Sequence, residues 1–148
     1  VREPLRARPG DTFALAAFLS SVDLTTSGLD DPDVQLWIDL DPDGRIVGAT
    51  GFELADNNAL IRSVGIAPQL RGSGRGTELA QFALDQATAL GVTTAWLMSR
   101  RSGPFWQKLG FVRADIHQLA AALLTTTQVR SFAESGQLDY ETAWVRAL

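Results

Sequence analysis

The clearest alternation of apolar and polar positions lies between residues 34 and 66. Val34-Gln35-Leu36-Trp37-Ile38 has strand composition, and residues 45–54 read as its hairpin partner across Asp41-Pro42-Asp43-Gly44. Proline presets φ in such a turn and glycine supplies a positive φ. A second turn, Ala55-Asp56-Asn57-Asn58, leads into a third strand over residues 59–66, with Arg62, Val64 and Ile66 expected on one face and Ile61, Ser63 and Gly65 on the other. Before the hairpin, residues 5–7 read as a short strand. Asp11 then caps a helix that ends near Val22, with Phe13, Ala14, Ala17 and Phe18 on its inner face. Residues 25–33 are loop-like.

After residue 66 the period lengthens. Residues 77–90 form the strongest amphipathic helix, with Leu79, Phe82, Ala83, Ala87 and Leu90 as its core stripe and Gly91 as its stop. Residues 92–98 read as a buried strand. Ser102 caps a short helix over 105–109 that Gly110 ends, a strand follows at 111–114, a helix at 118–124 and a last strand at 142–146. This order predicts an α/β (α+β) fold: a mixed, mostly antiparallel central sheet flanked by helices.

Composition narrows the function classes. The 148 residues suit one domain, 1–148, with 45% apolar and 20% charged residues. Without cysteine there is no disulfide, thiolate metal site or cysteine nucleophile, and a single histidine, His117, cannot build a His-clustered metal site, so no metal is expected. A net charge of −4 disfavours nucleic acid as a partner. No stretch is long and apolar enough to span a membrane, and residues 1–9 lack the apolar core of a secretory signal, which leaves the cytoplasm as the default location. Positive charge nevertheless gathers at Arg71 and Arg75 and at Arg100 and Arg101, the pattern of a local anion site.

The most informative segment joins the third strand to the amphipathic helix: Arg71-Gly72-Ser73-Gly74-Arg75-Gly76-Thr77. A strand, a glycine-rich turn and an immediate helix start aim several backbone N–H groups at one spot, and the helix end adds about half a positive charge. Glycines let that backbone approach a diphosphate. There is no lysine for a P-loop, and position 77 is threonine where a dinucleotide fingerprint needs its third glycine.

The loop resembles the acetyl-CoA loop of the GNAT N-acetyltransferases through Arg71, Gly74 and Gly76. Val64, Ile66 and Pro68 match the approach strand, and Phe105-Trp106-Gln107-Lys108-Leu109-Gly110-Phe111 is similar to the family's helix-to-strand segment. The resemblance spans residues 5–114 and implies acetyl-CoA as cosubstrate, bound by Val64, Gly65, Ile66, the loop Arg71, Gly72, Ser73, Gly74, Arg75, Gly76 and Thr77, and by Ser99 and Trp106. It also implies that the strand around Ser63 splays from its neighbour and that its backbone meets the thioester, with Gly65 easing the distortion. Trp106 stands where the family's thiolate-protonating tyrosine is expected. The single tyrosine, Tyr140, lies far along the chain.

Glu53 is the candidate for taking the proton of the acceptor amine or holding its ammonium; the alternative is a solvated strand-end glutamate. Arg62 either clamps a substrate carboxylate or pairs with Glu53. Arg100 and Arg101 either reach the CoA phosphates or are an exposed pair. Gly51-Phe52-Glu53-Leu54, Leu60-Ile61-Arg62-Ser63 and residues 124–132 also resemble the arsenic-resistance branch of the superfamily, which implies an amino-acid acceptor whose acidic group meets Arg62 and Arg130. The implied activity is acetyl transfer to a small-molecule amine in a ternary complex. A non-catalytic acyl-CoA-binding module and a protein or peptide N-acetyltransferase are the alternatives. Strand edges and the last helix are surfaces on which a homodimer could form.

Overall fold

The computed structural model describes residues 2–148. Its strands are β1 Leu5–Arg6, β2 Val34–Leu40, β3 Ile46–Ala55, β4 Asn58–Ile66, β5 Thr94–Met98, β6 Val112–Ala114 and β7 Ala143–Ala147. Its helices are α1 Thr12–Ser21, α2 Arg75–Ala89, α3 Gly103–Lys108, α4 Ile116–Ala122 and α5 Thr127–Ser135. The strands form one mixed sheet in the order β1-β2-β3-β4-β5-β7-β6, in which β4 and β5 are the parallel pair. The mixed sheet flanked by helices that the sequence predicts is present.

Alternation decides which helix covers which face. Trp37, Phe52 and Ile61 point to α2, where they pack with Ala80, Ala83, Leu84 and Trp106. The opposite face meets α1 through Leu36, Ile38 and Ala49, and meets α4 and α5 through Leu60, Leu119, Leu123 and Val129. The inner face of α1 differs from expectation. Leu15, Phe18 and Leu19 are buried, while Phe13 is 88% exposed. This helix is apolar nearly all round, so its periodicity offers more than one face, and the sheet selects the face with Leu15 and Leu19 one turn apart.

The helix α5 has no counterpart in the sequence reading. Thr126 stands at its N-cap, and Gly136, with φ 79°, closes it in the left-handed conformation. Its predecessor α4 starts two residues earlier than expected because Asp115 accepts hydrogen bonds from the His117 and Gln118 amides.

Two local features open the sheet. First, β4 pairs with β5 only from Asn58 opposite Thr94 to Leu60 opposite Trp96. Beyond that point β4 continues to Ile66 paired with β3 only, while β5 stays zipped to β7 as far as Met98 opposite Ala143. Second, β3 and β4 pair Gly51 with Arg62 and Ala49 with Gly65, so Ser63 and Val64 together oppose Thr50. That is a β-bulge, which disrupts the ladder and bends the strand. Ser63 holds it in the left-handed region at φ 60°, a conformation that costs a non-glycine residue on the order of 1–3 kcal/mol.

Candidate active site

The gap between β4 and β5 is the floor of a cleft of about 550 Å³. Ile61, Arg62, Ser63 and Val64 line it from β4, and Leu97, Met98 and Ser99 from β5. Arg71, Arg100, Arg101, Ser102 and Trp106 border it on the side of the glycine loop and α3. The segment after α1, at Val22–Thr25, closes another side, with Gln128 and Phe132 of α5 and Gln137 and Glu141 beyond it.

The glycine loop adjoins this cleft through Arg71. Gly72 and Gly74 have φ of 82° and 85°, which a side chain would strain, and a Cβ at either would project into open space. The Arg71 and Ser73 amides are spent on turns to Pro68 and Leu70 carbonyls, and the Arg75 amide donates to Ser73 Oγ. Among the described residues the amides of Gly72, Gly74, Gly76 and Thr77 donate to no protein group. They surround the start of a 15-residue helix, an arrangement suited to an anion with several oxygens. Ile66 and Phe105 lie beneath Gly76, 3.7 and 3.9 Å from where a Cβ would stand.

Arg75 does not face this anion site. Its Nε and Nη2 hold Asp39 of β2 at 2.8 and 3.1 Å, and Asp39 is also 3.2 Å from Arg2. Arg75 therefore anchors the helix start to the sheet. Burial alone would raise the Asp39 carboxyl, but the Arg75 hydrogen bond and charge outweigh it and hold it below its ordinary value. The hydrogen bond to Asp39 correspondingly raises Arg75. A carboxyl depressed on folding contributes stability above its unfolded pKa of about 3.9 and loses it as pH falls through the lower folded value. Thermal melts recorded from neutral pH into the acid range should thus show Asp39→Asn less stable than the parent at neutral pH, with a shallower acid decline. Equal slopes would count against the pairing.

Arg62 pairs with Glu53, one of its two expected roles, and Glu53 lies outside the cleft lining. Glu53 is 2% exposed and every oxygen is engaged. Oε1 accepts from the Thr127 amide at 2.6 Å, and Oε2 from the Gln128 amide at 3.1 Å and Arg62 Nη1 at 3.0 Å. It caps α5 from the sheet face on which that helix packs, so it is not a solvated strand-end glutamate, and it does not line the cleft. The Arg62 side chain is wholly buried. Its Nε donates to Ser63 Oγ at 3.1 Å and its Nη2 to the Ser27 carbonyl at 2.6 Å, so each of the three guanidinium nitrogens is already held by a protein acceptor. Burial lowers its pKa, against the opposing pull of Glu53. Arg130 is exposed and lies outside the cleft lining, so the Arg62–Arg130 clamp implied by the arsenic-resistance likeness is not assembled.

This knot extends to the 22–33 loop. Thr127 Oγ1 donates to Asp31 at 2.8 Å, and the Asp33 amide, then Thr127, hold the Asp31 carboxyl below its ordinary value. Gly28 lies where a Cβ would come 2.6 Å from Thr127 Cγ2. Gly65 likewise does not carry the bulge. It makes room for Leu24, whose Cδ1 would be 2.9 Å from a Cβ there.

The other expected residues lie around the cleft. Trp106 is a buried wall, edge-on to Phe105 and Phe111 at 5.0 and 5.4 Å. Ser99 directly follows β5, its Oγ accepting from the Ser102 amide at 3.1 Å and its carbonyl from Trp144 Nε1 at 3.0 Å. Tyr140 is 76% exposed and His117 sits on the outer surface of α4; neither lines the cleft.

Sequence reasoning missed Gln128, Phe132, Gln137 and Glu141. The polar and apolar residues at 126, 129 and 132 carry a helical signal, but nothing in them shows that this helix docks on the cleft. Glu141 is 6% exposed at its side chain, with Oε2 accepting from Gln137 Nε2 at 3.0 Å and lying 3.5 Å from Arg100 Nε.

Comparison with known proteins agrees with this architecture. A GNAT-family acetyltransferase from Staphylococcus aureus Mu50 superposes with a TM-score of 0.79 at 14% identity, covering 99% of this chain and 98% of that one. Rv2747 from Mycobacterium tuberculosis, solved in complex with CoA, gives 0.72 at 15% identity over 99% of both chains. N-acetylglutamate synthase from Neisseria gonorrhoeae, complexed with coenzyme A and L-arginine, gives 0.73 at 19% identity, with 99% of this chain covering 33% of that one. No curated protein matches the chain by sequence. At these identities the structural likeness concerns the fold. The family is carried by the sequence itself: residues 8–111 match the model of the Acetyltransferase (GNAT) family, and the chain belongs to that family.

Proposed function

We propose that the protein is an N-acetyltransferase that moves an acetyl group from acetyl-CoA to a primary amine of a small molecule, directly, within a ternary complex. The observation that carries this reading is the parting of β4 from β5 beyond Leu60 and Trp96, beside a helix start with unspent amides. Structural neighbours solved with coenzyme A support the donor class.

In this reading the amides of Gly72, Gly74, Gly76 and Thr77 receive the diphosphate, with Arg71 beside them. The pantetheine arm runs into the gap between β4 and β5. Ser63 and Val64, displaced from the ladder by the bulge, offer backbone to the thioester carbonyl, where a preorganised donor is worth most. Trp106 keeps water from the sulfur but supplies no useful proton. Ser99 Oγ, which accepts from Ser102, keeps its own hydrogen free for the departing sulfur.

The test is titration calorimetry with acetyl-CoA, followed by thiol release against amino acids, polyamines and aminoglycosides. Saturable binding with amine-dependent thiol release is expected. Binding without release from any amine would replace the enzyme with an acyl-CoA sensor, and no binding would end the donor assignment.

A further inference from the structure

We propose that Glu141 is the carboxylate that receives the acceptor amine, a role resting on the donor reading above. The carboxylates that line the cleft are Asp23 and Glu141. Asp23 is 75% exposed and stands 3.9 Å from Arg101, so it belongs to the rim. Glu141 is nearly sealed from bulk water and rigidly placed: the carbonyl of the next residue, Thr142, accepts from the Ser99 amide at 2.9 Å. It therefore stands beside the free end of β5, where the sheet parts.

Its two oxygens differ. Oε2 is held by Gln137 and neighbours Arg100, while Oε1 has no partner among the described residues. Among the described residues no sealed side-chain oxygen lacks a hydrogen bond, so Oε1 keeps exposed surface, on a residue that lines the cleft. Gln128, whose side-chain carboxamide has no protein partner among the described residues, lines the same cleft. An oxygen anion fixed on one side and open on the other suits an ammonium group.

The step follows. The acceptor ammonium donates to Oε1, and one proton passes to the carboxylate and on to solvent, freeing the nitrogen lone pair. The new N–C bond forms at the thioester carbonyl while the C–S bond breaks, the sulfur leaving with its electron pair. The second nitrogen proton reaches that sulfur, giving an amide and a free thiol. The charged groups around Glu141 in the cleft are Arg100 and Arg101 after β5, Asp23 after α1, Arg62 on β4 and Arg71 at the glycine loop.

The test compares the parent protein with Glu141→Gln and Glu141→Ala by thiol release from acetyl-CoA, using glycine, glutamate, n-butylamine, spermidine and kanamycin as acceptors. We expect kcat/KM to fall by about 10²-fold or more, with acetyl-CoA affinity unchanged by calorimetry. The residual activity of both variants should follow the free-amine fraction of the acceptor as pH is raised, and formate should restore activity to Glu141→Ala. Turnover and pH profile unchanged in both variants, or activity lost with acetyl-CoA affinity, overturn the assignment while the donor reading stands. A parent protein that binds acetyl-CoA and acetylates none of these amines overturns both. If Glu141→Ala is unstable, Glu141→Gln, which keeps a partner for Gln137, carries the pH measurement.

Discussion

Replacing Glu53 with alanine is expected to lower the unfolding free energy by about 3–5 kcal/mol, the cost of leaving a buried charge without its partner. Three donors converge on this side chain: Arg62 Nη1 and the amides of Thr127 and Gln128. Removal strands a guanidinium with no solvent access and uncaps α5. Glu53→Gln should also destabilise, because an amide cannot accept from all three donors without turning one N–H toward another. Equilibrium urea unfolding measures both variants. Replacing Glu53 and Arg62 together with leucine should cost less than the sum of the single changes, since neither charge is then left alone. Unchanged stability in Glu53→Ala, with turnover abolished, would return Glu53 to the chemistry and refute the anchoring role.

The second large effect is expected at Gly74→Trp, which should abolish measurable acetyl-CoA binding. Gly74 has a φ of 85°, and a side chain there would project into open space beside the unspent Gly72, Gly76 and Thr77 amides. Forcing a side chain into the left-handed region costs roughly 1–2 kcal/mol of stability, which a melt separates from the binding effect. Each hydrogen bond to a charged group contributes about 1.5–3 kcal/mol. Losing two of them weakens binding by 10²-fold or more, at roughly 1.4 kcal/mol per decade. Gly74→Ala should bear the backbone strain with a smaller loss of affinity. Unaltered acetyl-CoA affinity in Gly74→Trp would remove the loop from the donor site.

The two expectations separate the two halves of the site's framework, the glycine loop and the buried Glu53–Arg62 knot. One half was readable in the chain because its signal is local: Arg71, Gly74 and Gly76 set a backbone shape within a few residues. The other half was not. Glu53 stands 74 residues from Thr127, and the hydrogen bond between them exists only after β3 and α5 meet. A glutamate at a strand end looks the same in sequence whether it faces water, substrate or a helix terminus. Arg62 raised the same ambiguity, and of its two readings the pairing with Glu53 is the one the fold adopts.

The sequence by itself determined the strands, their hairpins, the amphipathic α2, the glycine loop and the family. Each of these is written in turn residues and periodicity over short windows. Tertiary structure alone decided which face of α1 is buried and that Arg75 points inward to Asp39. It also set the bulge at Ser63 and Val64 rather than at Gly65, and brought α5 and Glu141 to the open end of β5. The physical reason is common to these cases. A buried charge or a nearly apolar helix has several locally acceptable arrangements, and only partners distant in the chain make one of them lowest in free energy.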